Sequence, residues 1–530
     1  MAYGAARTGC ADQARALPRR VAPVPPAGPP SHRIDFNRRI VDWVEQYAGG
    51  SAGPRRARLD AEHWQRRLTA LAQRHHVPGA SLGILRLQPG RDDELVEVAH
   101  GLLNRDTGVT ATTDSVFQIG SITKVWTATV ILQLVDEGLV ELDTPVADVL
   151  PDLRLADADV TKRVTIRHLL THTSGIDGDV FTDTGRGDDC LEKYVAQLGE
   201  VAQNHPLGAT WSYCNSGFSL AGRVIEKLTD GTWDAAIRQR IITPLGLKRT
   251  GTLPEEALLH RAAVGHVGEP TSGPNGDTPA KMAVAPVWGL PRSAGPAGLI
   301  NSTVGDLLSF ARMHLTGGLA ADGNRVLSEA SAAAMADKHA DLPDRYSLGD
   351  SWGLGWIRFG WDGHRLIGHD GNTIGQSAFL RLLPSEGLAV TLLANGGNTR
   401  DLYEDLYREI FAELAGVAMP HPLTPPAEPV SVDIEPHLGT YERSSVRLEV
   451  FREAGPDGAE GHPKLRATIT GPLAHLVPEP MHEYPLVAVA ENLFAVKDPD
   501  EQTWAAVTFY SLPTGERYLH FGVRATPKVS

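Results

Sequence analysis

The sequence predicts an α+β protein in which a sheet packs against helices and a smaller all-β domain follows. Three observations predict it. A helical pattern, two strand patterns and a second, uniformly apolar helix follow one another between residues 59 and 135, an order that indicates a sheet covered by helices. A proline-rich stretch at 419–429 then interrupts the chain. After residue 434 the pattern changes to short alternating segments separated by turn residues, as in a small antiparallel barrel or sandwich.

Composition limits the classes of function. With 530 residues the chain is long enough for two or three domains. The formal net charge is −14 and no useful stripe of Lys and Arg is present, so nucleic acid is not expected as a partner. No segment has the apolar length of a membrane span. The three cysteines, Cys10, Cys190 and Cys214, have no short paired spacing, so neither a disulfide framework nor a zinc knuckle is expected.

The N-terminal residues 1–33 are predicted to be a disordered leader. They contain five arginines among Ala, Gly and Pro and lack an apolar core of secretory length, which favours a leader over a signal peptide. We therefore expect a cytoplasmic protein.

Residues 34–47 have helical spacing and end in the cluster 49–54. The cluster matches Gly-x-Ser-x-Gly, but a nucleophile elbow needs a preceding strand, so a linker is favoured.

The remaining elements follow in order along the chain. Helices are predicted at about 59–74, from Ser121 to 137, and at 218–228, 304–314 and 402–414. Strands are predicted at 80–87, 95–99, 377–383 and 389–395, and residues 365–375 are predicted to form a further strand that ends in a Gly-rich turn. The irregular stretch 255–290 is interpreted as a surface insertion. In the last domain, strands are predicted at 446–451, 465–470, 486–490, 493–496, 504–510 and 518–524.

Ser121 and Lys124 are the first candidates for chemistry. They stand three residues apart at the start of a helix, so that their side chains lie on one face with Cβ atoms roughly 5–6 Å apart. A lysine amine can serve as the base for a serine hydroxyl if burial or nearby cations lower its pKa. Apolar residues surround the helix on every side, which indicates burial. The helix start also offers unpaired N–H groups to an oxyanion.

Tyr213 and Asn215 form a second candidate pair. They stand two residues apart in an extended approach to a helix, so both side chains can project to one side. A phenol near a lysine can carry a proton, and an amide can orient a substrate carbonyl or the lysine. A buried tyrosine followed by a helix-capping asparagine explains the same pattern.

His168 and His172 stand four residues apart and suggest half of a zinc site. No Glu lies between them in the HExxH manner, and no third ligand is evident in the sequence. Structural histidines are therefore favoured, and no metal or other cofactor is expected.

Three landmarks occur in a fixed order: Ser121-x-x-Lys124, Tyr213-x-Asn215 and His369-x-Gly371. This order resembles the serine β-lactamase and penicillin-binding-protein superfamily, in its class C-like branch with esterases, D-aminopeptidases and thioesterase-like peptide cyclases. Residues 77–79, 169–175 and 392–395 look like the same family. Residues 438–442 look like the lipocalin-like domain that follows some of these catalytic domains.

The resemblance implies a class C β-lactamase-like antiparallel sheet flanked by helices, with a helical subdomain, followed by a small antiparallel β-barrel. The expected division is a leader at 1–33, a serine hydrolase domain at 34–417 with its core at 59–416, a linker at 418–431 and a lipocalin-like barrel at 432–530.

The resemblance also implies two groups of site residues. The catalytic group is Ser121, Lys124 and Tyr213, and the substrate-binding and oxyanion group is Asn215, His369, Gly371 and Asn372. The backbone N–H groups of Ser121 and Asn372 are expected to hold the oxyanion. His369 departs from the lysine of many relatives; because histidine is mostly neutral at pH 7, efficient penicillin hydrolysis is not expected.

The expected function is that of a metal-independent serine hydrolase that forms an acyl-enzyme on Ser121 with an ester or a peptide containing D-residues. The alternative is a stand-alone penicillin-binding-protein-type thioesterase, peptide cyclase or transacylase of natural-product biosynthesis, in which an amine replaces water. An alternative of another class is a sensor or peptide-binding protein that is acylated without turnover. The expected partner is a small molecule or peptide, and the oligomeric state, a homo-oligomer included, stays open.

Overall fold

The structure, a computed structural model, describes residues 58–268, 282–428, 430–453, 461–470, 480–497 and 503–530. The predicted leader at 1–33, the helix at 34–47 and the linker at 49–54 lie outside these ranges. The described residues from Leu59 onwards belong to one compact unit.

The helices occur in the part of the chain before residue 416. They are α1 (Ala61–Arg74), α2 (Thr123–Asp136), α3 (Val146–Val149), α4 (Ala158–Arg163), α5 (Ile166–Leu170), α6 (Cys190–Val195), α7 (Asn215–Thr229), α8 (Trp233–Ile237), α9 (Pro254–Ala257), α10 (Gly295–Gly298), α11 (Val304–Leu315), α12 (Glu329–Ala336) and α13 (Thr399–Ala415). The five longer helices predicted from the sequence are confirmed.

The strands before the proline-rich stretch are β1 (Gly79–Arg86), β2 (Glu94–Asn104), β3 (Val109–Thr110), β4 (Phe117–Gln118), β5 (His266–Gly268), β6 (Met282–Val284), β7 (Asn301–Ser302), β8 (Ala340–Asp341), β9 (Ser351–Trp352), β10 (Ile357–Trp361), β11 (His364–Thr373), β12 (Gln376–Leu383) and β13 (Leu388–Ala394). Nine of them form one sheet in the order β3-β2-β1-β13-β12-β11-β10-β9-β8. The neighbouring strands pair antiparallel, as between β11 and β12, which confirms the predicted sheet.

Two apolar cores cover the two faces of this sheet. One contains helix α2, in which every residue from Thr123 to Leu134 is buried. The other packs α1 and α13 against the opposite face, through side chains such as Trp64 and Tyr407. The absence of a polar stripe on α2 explains its place inside the fold, since a helix that is apolar all round must be covered on all sides.

The C-terminal strands form two antiparallel sheets. The first contains β14 (Gly439–Arg443), β15 (Val446–Arg452), β16 (Pro463–Ile469) and β17 (Met481–Pro485). The second contains β18 (Val487–Ala490), β19 (Leu493–Val496), β20 (Ala505–Ser511), β21 (Arg517–Phe521) and β22 (Arg524–Pro527). A bridge between Tyr441 and Lys528 links them, but within the described ranges the hydrogen bonding does not close the expected barrel. The lipocalin-like identity stays a prediction.

The chain between the two parts has no helix or strand at the described residues 416–428 and 430–434. Gly416 ends α13 in the left-handed region, with φ of 67°. The predicted insertion at 255–290 contains α9, β5 and β6, with residues 269–281 outside the described ranges.

No helix in the described part of the chain has both the length and the apolar character needed to cross a membrane.

Candidate active site

Ser121 lies in a single 3-10 turn, Gly120–Ile122, that leads directly into α2. Strand β11 packs against this turn so closely that two glycines are required. A Cβ on Gly371 would stand 1.9 Å from the carbonyl oxygen of Ile119 and 3.0 Å from the Ser121 nitrogen, and a Cβ on Gly120 would stand 2.6 Å from the Asn372 nitrogen. The predicted oxyanion donors, the N–H groups of Ser121 and Asn372, are therefore brought together by backbone contact.

Lys124 is fully buried, and its Nζ lies 3.0 Å from the Ser121 Oγ. It also donates a hydrogen bond to the carbonyl oxygen of Ala297 at 2.7 Å. Burial, and secondly the positive charge of Arg524, hold the pKa of this amine well below its usual value. In its neutral form the amine has a lone pair that can accept the proton of the serine hydroxyl.

Tyr213 completes the group around the serine. Its ring centroid lies 4.7 Å from Lys124 Nζ. Burial raises the pKa of the phenol, although a hydrogen-bonding interaction with Ser121 lowers it in part. At neutral pH the phenol therefore keeps its proton. It is suited to donating a proton rather than to accepting the hydroxyl proton of Ser121.

Asn215 is the first residue of α7, and its amide donates a hydrogen bond to Asp179 at 3.5 Å. The N-cap of this helix is Cys214, whose sulfur accepts from the Gly217 N–H. The capping role considered for Asn215 is thus filled by the residue before it. The structure places Asn215 next to an acidic group that the sequence analysis did not identify.

His369 lies in β11, buried beside Tyr213, with a distance of 6.2 Å between ring centroids. Its Nδ1 lies 2.6 Å from the carbonyl oxygen of Asp370, to which it donates. Burial, followed by the charge of Lys124, lowers the pKa of His369 to about 3. The imidazole is therefore neutral, and it does not supply the cation that a lysine at this position would give.

Arg524, from the C-terminal strands, is an active-site residue that sequence reasoning missed. Its guanidinium carbon lies 4.8 Å from the Tyr213 ring centroid, and it donates to both carboxylate oxygens of Asp179, at 2.6 and 3.1 Å. Arg443 donates to Asp179 at 2.5 Å. Burial alone would raise the pKa of Asp179, but the two arginines lower it to about 2, so the carboxylate stays charged.

A tight turn between β21 and β22 carries Arg524 to the site. Phe521 pairs with Arg524, and the two residues between them, Gly522 and Val523, have φ values of 56° and 61°, as in the type I′ turn of a hairpin. This conformation is strained for a β-branched residue such as valine. The Val523 carbonyl accepts the Tyr213 N–H at 3.0 Å, so the turn fixes the backbone that carries the phenol.

The two histidines of residues 168–172 have structural contacts. His172 is buried, its Nδ1 accepts from the Cys214 N–H at 2.9 Å, and its ring centroid lies 4.3 Å from that of Tyr213. His168 accepts at Nδ1 from the Thr165 N–H. In the described ranges no group of three or more His, Cys, Asp or Glu side chains is arranged to hold a metal ion.

Comparison with known families gives one match, to the model described as Beta-lactamase, over residues 64–414. Among curated proteins, the chain is 50% identical over 387 residues to Penicillin-binding protein 4 of Amycolatopsis lactamdurans, a match that covers 73% of this chain and 98% of the relative. It is 30% identical over 235 residues to Esterase EstB of Burkholderia gladioli, covering 42% of this chain and 59% of the esterase.

Among solved structures, the chain resembles SurE with a TM-score of 0.70 and 27% sequence identity, over 88% of this chain and 99% of SurE. A second crystal structure of SurE, solved with D-Leu, matches with a TM-score of 0.66 over the same shares. The likeness to SurE includes the C-terminal strands, whereas the family match ends at residue 414.

Proposed function

Since the chain belongs to the Beta-lactamase family of serine hydrolases, we propose that Ser121 is its nucleophile and forms an acyl-enzyme with an ester or with a peptide that contains D-residues. One observation carries the proposal: a fully buried lysine amine stands 3.0 Å from the serine hydroxyl oxygen. Burial lowers the pKa of this amine well below its usual value, and in its neutral form the amine can act as the base that an unaided serine lacks.

The proposed first step joins Ser121 to the acyl group. Lys124 Nζ accepts the hydroxyl proton while Oγ attacks the substrate carbonyl, and the N–H groups of Ser121 and Asn372 bind the oxyanion that develops. Lys124, now a cation, returns the proton to the leaving group by way of the Tyr213 phenol. The bond between the carbonyl carbon and the leaving group breaks, and the acyl group remains on Oγ.

The second step reverses the proton transfers. A water molecule gives one proton to the pair formed by Lys124 and Tyr213 as its oxygen attacks the acyl carbon. The tetrahedral intermediate collapses, Ser121 regains its proton, and a carboxylic acid leaves. Asn215 is proposed to orient the substrate amide, and His369 to line the pocket as a neutral group.

The substrate class is supported by the site and by the relatives. Neutral His369 does not offer the permanent cation that favours penicillin-like carboxylates, which fits esters and D-peptides better. The similarity to an esterase and to a structure that holds D-Leu points the same way. Steady hydrolysis of p-nitrophenyl esters that is lost in Ser121→Ala supports the proposal, and full activity of that variant rejects it.

Aminolysis, as in a peptide cyclase or transacylase, is the second candidate function. It is favoured by the C-terminal turn, which contacts Tyr213 through the Val523 carbonyl and the Arg524 guanidinium. Protein packed against the site helps to keep water from the acyl-enzyme, as reaction with an amine requires. The experiment is product analysis with an activated peptide thioester, with and without an amine acceptor. A cyclic or amide product supports aminolysis, and the free acid alone supports hydrolysis.

A protein that is acylated without turnover would give a single burst of product with either substrate. Continued turnover excludes the hypothesis of a sensor or binding protein that is acylated once. The division into a hydrolase domain at 34–417 and a C-terminal domain at 432–530, and the cytoplasmic location, stay proposals that limited proteolysis and cell fractionation test.

A further inference from the structure

A second cleft lies between the nine-stranded sheet and the C-terminal strands. Its volume is about 790 Å³, which falls in the range of roughly 300–1,000 Å³ that small-molecule sites occupy. Its walls come from residues 345–350, from β10, β11 and β12, from the first turns of α13, from the chain after that helix, and from residues 503–506 and 521–523.

The cleft is separate from the Ser121 site, although the two share a wall. His369 and Asp370 follow one another in β11 and therefore point to opposite faces of the sheet. His369 faces Tyr213, whereas Asp370 lines the cleft. Val523 also lines the cleft, and its carbonyl accepts the Tyr213 N–H. Strand β11 and the C-terminal turn thus stand between the two sites.

The charges along the cleft favour an anion. Asp370 is shared by Arg381 at 2.5 Å and Arg400 at 3.2 Å. Arg381 is 1% exposed, and its Nε has no hydrogen-bond partner among the described residues. Arg345 is exposed and hydrogen bonds to the Tyr346 hydroxyl at 3.2 Å, and no described carboxylate lies within ion-pair distance of it. Asp370 is therefore already paired with two guanidinium groups, and Arg345 adds a third guanidinium group to the lining of the cleft.

The two other acids of the wall, Glu404 and Asp350, are each paired with arginine as well. Glu404 pairs with Arg400 at 3.4 Å and with Arg408 at 3.3 Å, so it brings a further arginine with it. Asp350 pairs with Arg365 at 2.7 Å.

Aromatic side chains supply the rest of the surface. The Arg381 guanidinium lies 4.1 Å from the ring centroid of Phe359, and that of Arg345 lies 5.1 Å from the ring of Tyr346. Trp361, Trp504 and Phe521 also line the cleft. Rings beside guanidinium groups suit a ligand with a carboxylate at one end and an apolar body.

We propose that this cleft is a second binding site, distinct from the Ser121 site, for a small carboxylate with an aromatic or branched aliphatic body. The carboxylate lies among Arg345, Arg381 and Arg400, and the body packs against the aromatic wall near Trp504.

The test is calorimetric titration of the full-length protein with N-acetyl-phenylalanine as the probe. The expected result is saturable one-to-one binding that weakens about tenfold for the uncharged N-acetyl-phenylalanine amide and about tenfold in Arg345→Met, since a charged hydrogen bond is lost in each case. Trp504→Ala tests the apolar wall and is expected to weaken binding similarly. Arg66→Met, which removes another exposed arginine, is the matched control and leaves the affinity unchanged.

Three results overturn the proposal. Absence of binding does so, as does equal affinity for the acid and the amide. The third result is an affinity for the probe that falls in Arg524→Met but is unchanged in Arg345→Met and Trp504→Ala. It would place the probe in the Ser121 site instead. Because the measurement is of binding in the absence of substrate, it does not depend on the proposed reaction.

Discussion

The guanidinium carbon of Arg524 lies 4.8 Å from the centroid of the Tyr213 ring, so a residue of the C-terminal strands forms part of the wall around the proposed nucleophile. Lys124 Nζ lies 4.7 Å from the same centroid. The phenol ring therefore contacts both the proposed base and an arginine, 12% exposed, whose positive charge lowers the pKa of that base.

Replacing Arg524 by Met is expected to move the acidic limb of the pH profile. The proposed base must be neutral, so kcat/KM rises with pH as Lys124 loses its proton. Burial is the main reason that the Lys124 pKa is low, and Arg524 is the second. Removing this cation lets the pKa rise, so the acidic limb of kcat/KM shifts to higher pH. The measurement is the pH dependence of p-nitrophenyl ester hydrolysis.

The matched control is Arg447→Met, which removes a half-exposed arginine of the C-terminal strands and is expected to leave the profile in place. An acidic limb that does not move in Arg524→Met, in protein that melts as the wild type does, contradicts this role.

Replacing Lys124 by Met is expected to abolish activity and to change how stability depends on pH. The folded-state pKa of Lys124 lies below its unfolded value of 10.5, so folding releases a proton throughout the window between the two values. The free energy that the wild type loses by burying Lys124 as a neutral amine falls by about 1.4 kcal/mol for each pH unit gained in that window. The free energy of unfolding of the variant, relative to the wild type, is therefore expected to decrease as pH rises from 7 to 9.

Chemical denaturation at pH 7, 8 and 9 measures this difference. Lys193→Met, which removes an exposed lysine, is the control and should show a difference that does not vary with pH. A constant difference for Lys124→Met as well would mean that the amine is charged in the folded protein.

Replacing Gly371 by Ala is expected to damage the oxyanion site. The new Cβ would stand 1.9 Å from the Ile119 carbonyl oxygen and 3.0 Å from the Ser121 nitrogen, so strand and turn must separate. Loss of one oxyanion donor typically costs about 10²–10³ in kcat, and a fall of that size is expected. Gly231→Ala, whose Cβ would approach no described atom more closely than 3.8 Å, serves as the comparison. Wild-type kcat in Gly371→Ala rules out this arrangement of donors.

Replacing Asp179 by Asn tests the ion pairs that join the C-terminal strands to the site. Removing one partner of a buried ion pair typically costs about 3–5 kcal/mol, because Arg443 and Arg524 lose their carboxylate. The Asp179 pKa is lowered to about 2 from 3.8. Its charge therefore stabilises the fold by about 2 kcal/mol above pH 4, and this stabilisation is lost as pH falls towards 2.

Denaturant unfolding at pH 7 and pH 3 is the measurement, and the deficit of Asp179→Asn should be smaller at pH 3. Asp189→Asn removes an exposed carboxylate and should have little effect at either pH. Equal unfolding midpoints for Asp179→Asn and the wild type at pH 7 would show that these ion pairs add no stability.

The sequence was sufficient where a local pattern determines the structure. The uniformly apolar run after Ser121 predicts a buried helix, and α2 is buried on all sides. The spacing of Ser121 and Lys124 places both side chains on one turn, and their atoms lie 3.0 Å apart. Alternating residues predict most of the strands. By contrast, none of the five side chains of β17 is buried, so its sequence lacks the apolar face that marks a strand.

The sequence was insufficient where distant segments meet. Arg524 stands in an ordinary alternating strand, and nothing local distinguishes it from its neighbours. Its role depends on a turn that brings Val523 and Arg524 against Tyr213. Asp179 follows a recognisable family segment, but its two arginine partners come from the C-terminal strands. Both residues become identifiable only after the two parts of the chain are packed together.

The most direct test of the central claim is intact-mass analysis of the protein after brief exposure to a p-nitrophenyl ester, followed by peptide mapping of any adduct. A mass increase equal to one acyl group is expected on Ser121; it disappears with time in the wild type and does not form in Ser121→Ala. An adduct on another residue, or an unmodified Ser121 in protein that is turning over the ester, would contradict it.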